Sequence, residues 1–199
     1  MFAIAITLLV LDIRVPLTEF HDLGRAIIDQ WPSYLGYATS FITIGGIWLA
    51  HHGTFRRLRY ANNQVMRINL VLLMAVSFLP YPTRLVADAI HDERAERAAV
   101  LFYGANLLAI SLLFGALWGT VARERELLKP DVTDEEVNAV LRATTPSIGF
   151  YVAATALAIV VPRVAAFGFL AIAVFNVLQA RGDERTTKPA LTRARDPGG

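Results

Sequence analysis

Long apolar runs separated by short charged blocks pattern this chain. The runs cover residues 2–15, 31–52, 65–86, 98–121, 147–161 and 164–180. Each is far longer than a typical strand and together they lack strict alternation, so the pattern predicts helices. The expectation is an all-α, polytopic membrane protein with six transmembrane helices per subunit, in one domain over residues 1–180. Residues 181–199 are polar, basic and punctuated by Pro and Gly, which predicts a disordered cytosolic tail.

The first run, FAIAITLLVLDIRV, carries one hydroxyl, Thr7, and stops at Asp12 and Arg14. At the helical rise it spans about 20 Å, short of the ~30 Å hydrocarbon core, so the first helix is expected to be truncated. Read as a helix, it sets Ile4, Leu8 and Leu11 on one stripe with Thr7 beside them. Such a stripe is either a packing seam or, if several copies meet at an axis, a constriction. There is no positively charged leader and no small-residue cleavage site before Arg14, which argues against a signal peptide.

Further along, Leu23, Ile27 and Ile28 predict a short interfacial helix. Trp31-Pro32 opens the second run, with Trp suited to the headgroup level and Pro tolerated at a helix start. His51-His52 closes it, ahead of Arg56, Arg57 and Arg59. Pro80 and Pro82 should end or kink the third run. The fourth contains Gly115-x-x-x-Gly119, a spacing that lets helices approach. Within 123–142, either Asp131, or Thr133 with Glu136, caps a short cytosolic helix. Val161-Pro162-Arg163 splits the last apolar region into a hairpin of two short spans, with a single bent re-entrant element as the alternative.

Composition agrees with a membrane setting. Of 199 residues, 55% are hydrophobic and 18% charged, with mean hydropathy +0.45; soluble chains carry nearer a quarter charged. Twelve Lys and Arg lie in the 51–64 and 122–146 loops and the tail, against six on the opposite side. The positive-inside rule then puts both termini in the cytoplasm. A net charge of +2, spread thinly, argues against nucleic acid. The absence of Cys removes disulfides and thiolate chemistry.

Candidate chemistry is sparse. Adjacent helical residues diverge by about 100°, so His51 and His52 do not readily face one metal ion. A hydrogen bond to a neighbouring helix suits them better. Asn69, Asn106, Asn176 and Ser77 lie inside spans, where a polar side chain needs a partner and serves as helix–helix glue. Arg67 is placed to snorkel to the surface. Asp12 and Arg14 make either an outer charge pair or a solvated helix end. No paired carboxylates, nucleophile–base arrangement, phosphate loop or TVGYG-like filter is present, so no catalytic residue, metal or cofactor is expected.

Three segments, FAIAITLLVLDI (2–13), GIWLAHHGTFRRLRYAN (46–62) and RINLVLLMAVSFLPYPTRLV (67–86), resemble the bacterial members of the transmembrane protein 175 family, relatives of an endolysosomal potassium channel. The resemblance implies a homotetramer of six-helix subunits in the plasma membrane, with cytosolic termini and potassium as permeant ion. It implies that the first helices line the pathway, with Ile4, Leu8 and Leu11 as a hydrophobic constriction and Thr7 contributing cation preference. Hydrophobic rings gate by dewetting, which gives the stripe a physical role. It further implies a polar network of His51, His52 and Asn69 with the family's Arg-x-x-x-Phe-Ser-Asp signature. Met1 stands where that signature should end, so these three residues are expected to lack those signature partners, and either the start lies further upstream or this is a natural short form. A proton-coupled or other small secondary transporter using the His pair, or a non-conducting membrane interaction protein, are the alternatives.

Overall fold

The computed structural model describes residues 2–10, 13, 23–89 and 92–175. These form α1 (Phe2–Val10), α2 (Leu23–Asp29), α3 (Trp31–Arg57), α4 (Asn63–Phe78), α5 (Pro80–Asp88), α6 (Glu93–Arg123) and α7 (Asp134–Val160), followed by α8 (Pro162–Phe175). By length and composition two described stretches are long and apolar enough to cross a membrane, Asn63–Asp88 and Glu93–Arg123. α3 matches them in length, but Ser33, Thr39, Ser40 and Thr43 make it more polar.

Local chemistry sets the boundaries. Asn62 Oδ1 accepts from Val65 N (2.8 Å) at the start of α4, and Asp92 Oδ1 accepts from Arg94 N and Ala95 N at the start of α6. Each satisfies backbone donors that the first helical turn leaves open. Pro80 and Pro82 kink the third run rather than end it. α4 stops at Phe78 and α5 restarts at Pro80, with Leu79 helical between them and Thr83 N bonded to Leu79 O at 3.2 Å.

The expected short helix after residue 131 and the expected span 147–161 are one helix, α7. Thr133, not Asp131, caps it, with Oγ1 accepting from Glu136 N at 3.3 Å. Asp134, Glu135 and Glu136 in its first turn complement the helix dipole, and helical backbone runs on to Val160. Its described apolar stretch covers 148–160. α8 follows across Val161, whose N–H bonds Leu157 O at 2.8 Å.

α6 is the central element, packed against α4, α5 and α7, while α1 lies against α3, α4 and α5. The main core gathers Ile44, Leu72, Val76, Tyr103, Leu107 and Phe169, with Ala5 and Leu9 contributed by α1. The close approach of α6 falls at Gly104, where a Cβ would stand 2.5 Å from Thr155 Oγ1 and 2.8 Å from Phe169 Cζ. It does not fall at Gly119 of the expected glycine motif, whose Cβ would meet nothing within 4 Å.

A second core lies at the other end of the bundle, around Leu58, Trp118, Val121, Leu127 and Val137. There two loops clasp each other. Arg59 N donates to Leu127 O (2.8 Å) and Lys129 N to Arg57 O (3.0 Å), flanking an antiparallel Leu58–Leu128 bridge.

Candidate ion pathway and the polar network behind it

α1 has two unlike faces. Ala5 and Leu9 are buried, and Phe2 and Ile6 pack partly against the core. Ile4 is 58% exposed and Leu8 43%, with Thr7 exposed between them. The burial period is four residues, the spacing of one helical face. The small side chain at Ala5 lets α1 lie close to its neighbours, while the bulky side chains at Ile4 and Leu8 remain outside. Leu11, Asp12 and Arg14 lie outside the described residues.

Thr7 Oγ1 donates to Ile4 O at 3.0 Å. A hydroxyl has one proton and two lone pairs. With its proton committed to the backbone, Thr7 presents acceptor oxygen to whatever faces this stripe. Ile4, Thr7 and Leu8 therefore combine aliphatic bulk with one outward oxygen, and none of them carries a charge.

Behind α1, His51 Nε2 meets Asn69 Oδ1 at 2.8 Å, joining α3 to α4. An amide oxygen only accepts, so Nε2 is the donor. The same imidazole lies 5.1 Å from the Phe2 ring and stacks on Phe55 at 4.5 Å. His51 and Asn69 are thus each other's partner. His52 is not part of this cluster. It points outward and stacks on Trp48 at 5.7 Å, as the rotation between successive helical residues requires.

Of the other expected glue residues, Asn106 Nδ2 donates to Ala75 O (3.3 Å) across α6 and α4. Ser77 instead donates to Met74 O of its own helix. Asn176 lies outside the described residues, and Arg67 is exposed. Among the described residues no group of three or more His, Cys, Asp or Glu is placed to hold a metal.

Several polar contacts went unread in the sequence, three of them between the helices of the bundle. Trp118 Nε1 donates to Thr54 Oγ1 (3.1 Å), Ser40 Oγ pairs with Thr83 Oγ1 (2.6 Å), and Arg163 Nε reaches buried Glu96 Oε2 (3.3 Å). The crowding of Thr39, Ser40 and Thr43 on α3 was the one available signal.

A bundle with two stretches long and apolar enough to cross a bilayer, and with bulky aliphatic side chains exposed on its first helix, has the features of a helical membrane protein. Within that class the chain is a member of the TMEM175 family. The sequence profile described as endosomal/lysosomal potassium channel TMEM175 matches residues 1–80. A potassium channel of Streptomyces collinus is 37% identical over 155 residues, covering 75% of this chain and 73% of that one. A potassium channel of Chamaesiphon minutus is 37% identical over 162 residues, covering 80% and 79%. The fold matches the crystal structure of a lysosomal potassium-selective channel TMEM175 homologue from Chamaesiphon minutus. There the TM-score is 0.81 at 33% identity, covering 90% of this chain and 92% of the other.

Proposed function

We propose that the chain is a subunit of a potassium-preferring cation channel that conducts passively, with the outward face of α1 lining the pathway. The observation that carries this reading is the common exposure of Ile4, Thr7 and Leu8 on the side of α1 opposite its buried Ala5 and Leu9. Several copies meeting at an axis would bring these stripes together. Ile4, Leu8 and Leu11 then form a constriction that excludes water when closed, and the Thr7 oxygens replace part of the ion's hydration when it is open. Kinship with proteins named potassium channels supports potassium as the permeant ion.

The assembly on this reading is a homotetramer of six-span subunits in the plasma membrane, with both termini cytoplasmic and potassium needing no cofactor. Residues 1–180 are its channel domain and 181–199 its cytosolic tail.

Reconstitution into liposomes tests the pathway. Ile4→Asn should raise basal potassium leak by putting a polar group in the constriction. Thr7→Val should lower preference for potassium over sodium, read from reversal potentials. Unchanged currents in both variants would remove α1 from the pore. A transporter working through His51 and His52 predicts instead that flux requires a coupled proton gradient.

A further inference from the structure

Between α3, α5, α6 and α8 lies a half-open cleft of about 350 Å³. It falls within the ~300–1,000 Å³ typical of small-molecule sites. Val86, Val100, Ala166, Phe169 and Leu170 give it apolar walls.

Its deep end is polar. Thr39, Ser40, Thr83 and Tyr103 line it and all four are buried. Thr83 Oγ1 donates to Leu79 O at 2.9 Å, so its contact with Ser40 at 2.6 Å consumes the Ser40 proton. Tyr103 is different. It is 5% exposed, and its Oη faces the Ser40 and Thr43 hydroxyls, which act on it electrostatically, yet no bond of good geometry satisfies it. A buried phenolic hydroxyl normally finds a partner.

The mouth lies one and a half to two helical turns away, about 10 Å along α6 from Tyr103 to Glu96. Glu96 and Arg163 are paired there at 3.3 Å and cancel each other's charge. Trp31 and Phe167 flank the opening, both more than half exposed.

We propose that this cavity binds a neutral, single-chain amphiphile of the long-chain alcohol or monoacylglycerol class, head inward. Its head oxygen accepts from Tyr103 Oη, its body lies against Val100, Phe169 and Leu170, and its tail leaves past Phe167 into the bilayer. A charged head is disfavoured because the deep end offers hydroxyls and no formal charge. A phospholipid tail entering first leaves the Tyr103 hydroxyl unsatisfied. Water filling the space would face mainly apolar walls, whereas each buried water requires two to four polar partners. The site depends on the membrane setting of the fold and not on α1 as the pore.

Photolabelling of the full chain in phosphatidylcholine vesicles with an azi-octanol diazirine probe tests this. Adducts mapped by mass spectrometry should fall on α6 and α8 around Tyr103 and Leu170, and excess 1-octanol should reduce them several-fold. Ala166→Phe, which fills the cavity, should abolish them. Tyr103→Phe, which keeps the ring, should reduce them several-fold. Adducts confined to outward-facing side chains, or indifferent to octanol, would overturn the site and leave a cavity holding water only. Equal labelling of the cavity by a diazirine alkane without a hydroxyl would overturn the head-inward orientation in favour of a lipid tail. If Ala166→Phe fails to fold, octanol competition on the unaltered protein decides.

Discussion

His51 Nε2 lies 2.8 Å from Asn69 Oδ1, and the same imidazole packs 5.1 Å from the tilted ring of Phe2 of α1. One side chain thus links three helices: a hydrogen bond to α4 on one side, an aromatic contact to α1 on the other. The position of the stripe formed by Ile4, Thr7 and Leu8 depends on how α1 is seated, so this link connects packing to the proposed pathway.

The two residues should therefore be energetically coupled. Interhelical hydrogen bonds in membrane proteins contribute on average about 0.6 kcal/mol and reach about 1.7 kcal/mol. A double-mutant cycle of His51→Phe and Asn69→Leu, followed by unfolding in detergent, should return a coupling in that range. His52→Phe combined with Asn69→Leu should be additive, since His52 stacks on Trp48 and takes no part in the bond. Coupling to His52 equal to that of His51 would contradict the geometry.

The two faces of α1 make opposite predictions. Ala5 is fully buried, and enlarging it to Leu pushes against α3, α4 and α5. Overpacking of this kind costs about 1–3 kcal/mol. Leu8→Ala removes bulk from the exposed side, and its effect on subunit unfolding should stay within about 0.5 kcal/mol. In liposome flux assays the order reverses. Leu8→Ala should raise basal leak by widening the proposed constriction, whereas Ala5→Leu should act mainly through the amount of folded protein. Equal unfolding costs for the two variants would show that both faces are packed within the subunit.

The helices were legible in the sequence because apolar runs and capping residues are local signals. Thr133 with Glu136, Trp31-Pro32 and the Pro80 kink all act through neighbours within one turn. The facing of α1 was not. Its nine residues are apolar except for Thr7, so periodicity offered almost no contrast, and the fact that Ala5 rather than Leu8 points inward is settled by packing against three other helices. The clasp of Leu58 on Leu128 was also hidden, as it joins two loops separated by the kinked α4–α5 and the 31-residue α6. The cavity was less legible still, since its lining comes from four helices and only the hydroxyl cluster of α3 marked it.

Asn62 gives a sharper test of the loop clasp. Its Oδ1 caps α4 through Val65 N at 2.8 Å, while its Nδ2 donates to Glu124 Oε2 at 2.7 Å. Asn62→Ala loses both and should cost about 0.5–2 kcal/mol for the cap alone. Asn62→Asp keeps the capping oxygen but removes the donor and sets a second carboxylate against Glu124. Hydrogen exchange should then rise selectively in the 58–62 and 124–129 loops with the α4 amides still protected. Uniform protection in both variants would mean that the Glu124 contact contributes nothing.

Gly104 is where the bundle has least room. A Cβ there would sit 2.5 Å from Thr155 Oγ1 and 2.8 Å from Phe169 Cζ. Thr155 is not free to swing away, because Oγ1 donates to Tyr151 O at 2.7 Å, and Phe169 is wedged against Tyr103 and Tyr151. Ala has the better helix propensity by about 1 kcal/mol, so on an open helix face the substitution would stabilise. Here the clash should win, and Gly104→Ala is expected to lower stability by about 1–3 kcal/mol. Gly119→Ala meets no atom within 4 Å and should be neutral or stabilising. Adding Thr155→Ala to Gly104→Ala removes the nearer obstacle and should restore part of the loss. Thermal unfolding of the three variants, read in one detergent, decides the matter: a Gly104→Ala protein as stable as the parent would show that α6, α7 and α8 pack less tightly than these distances require.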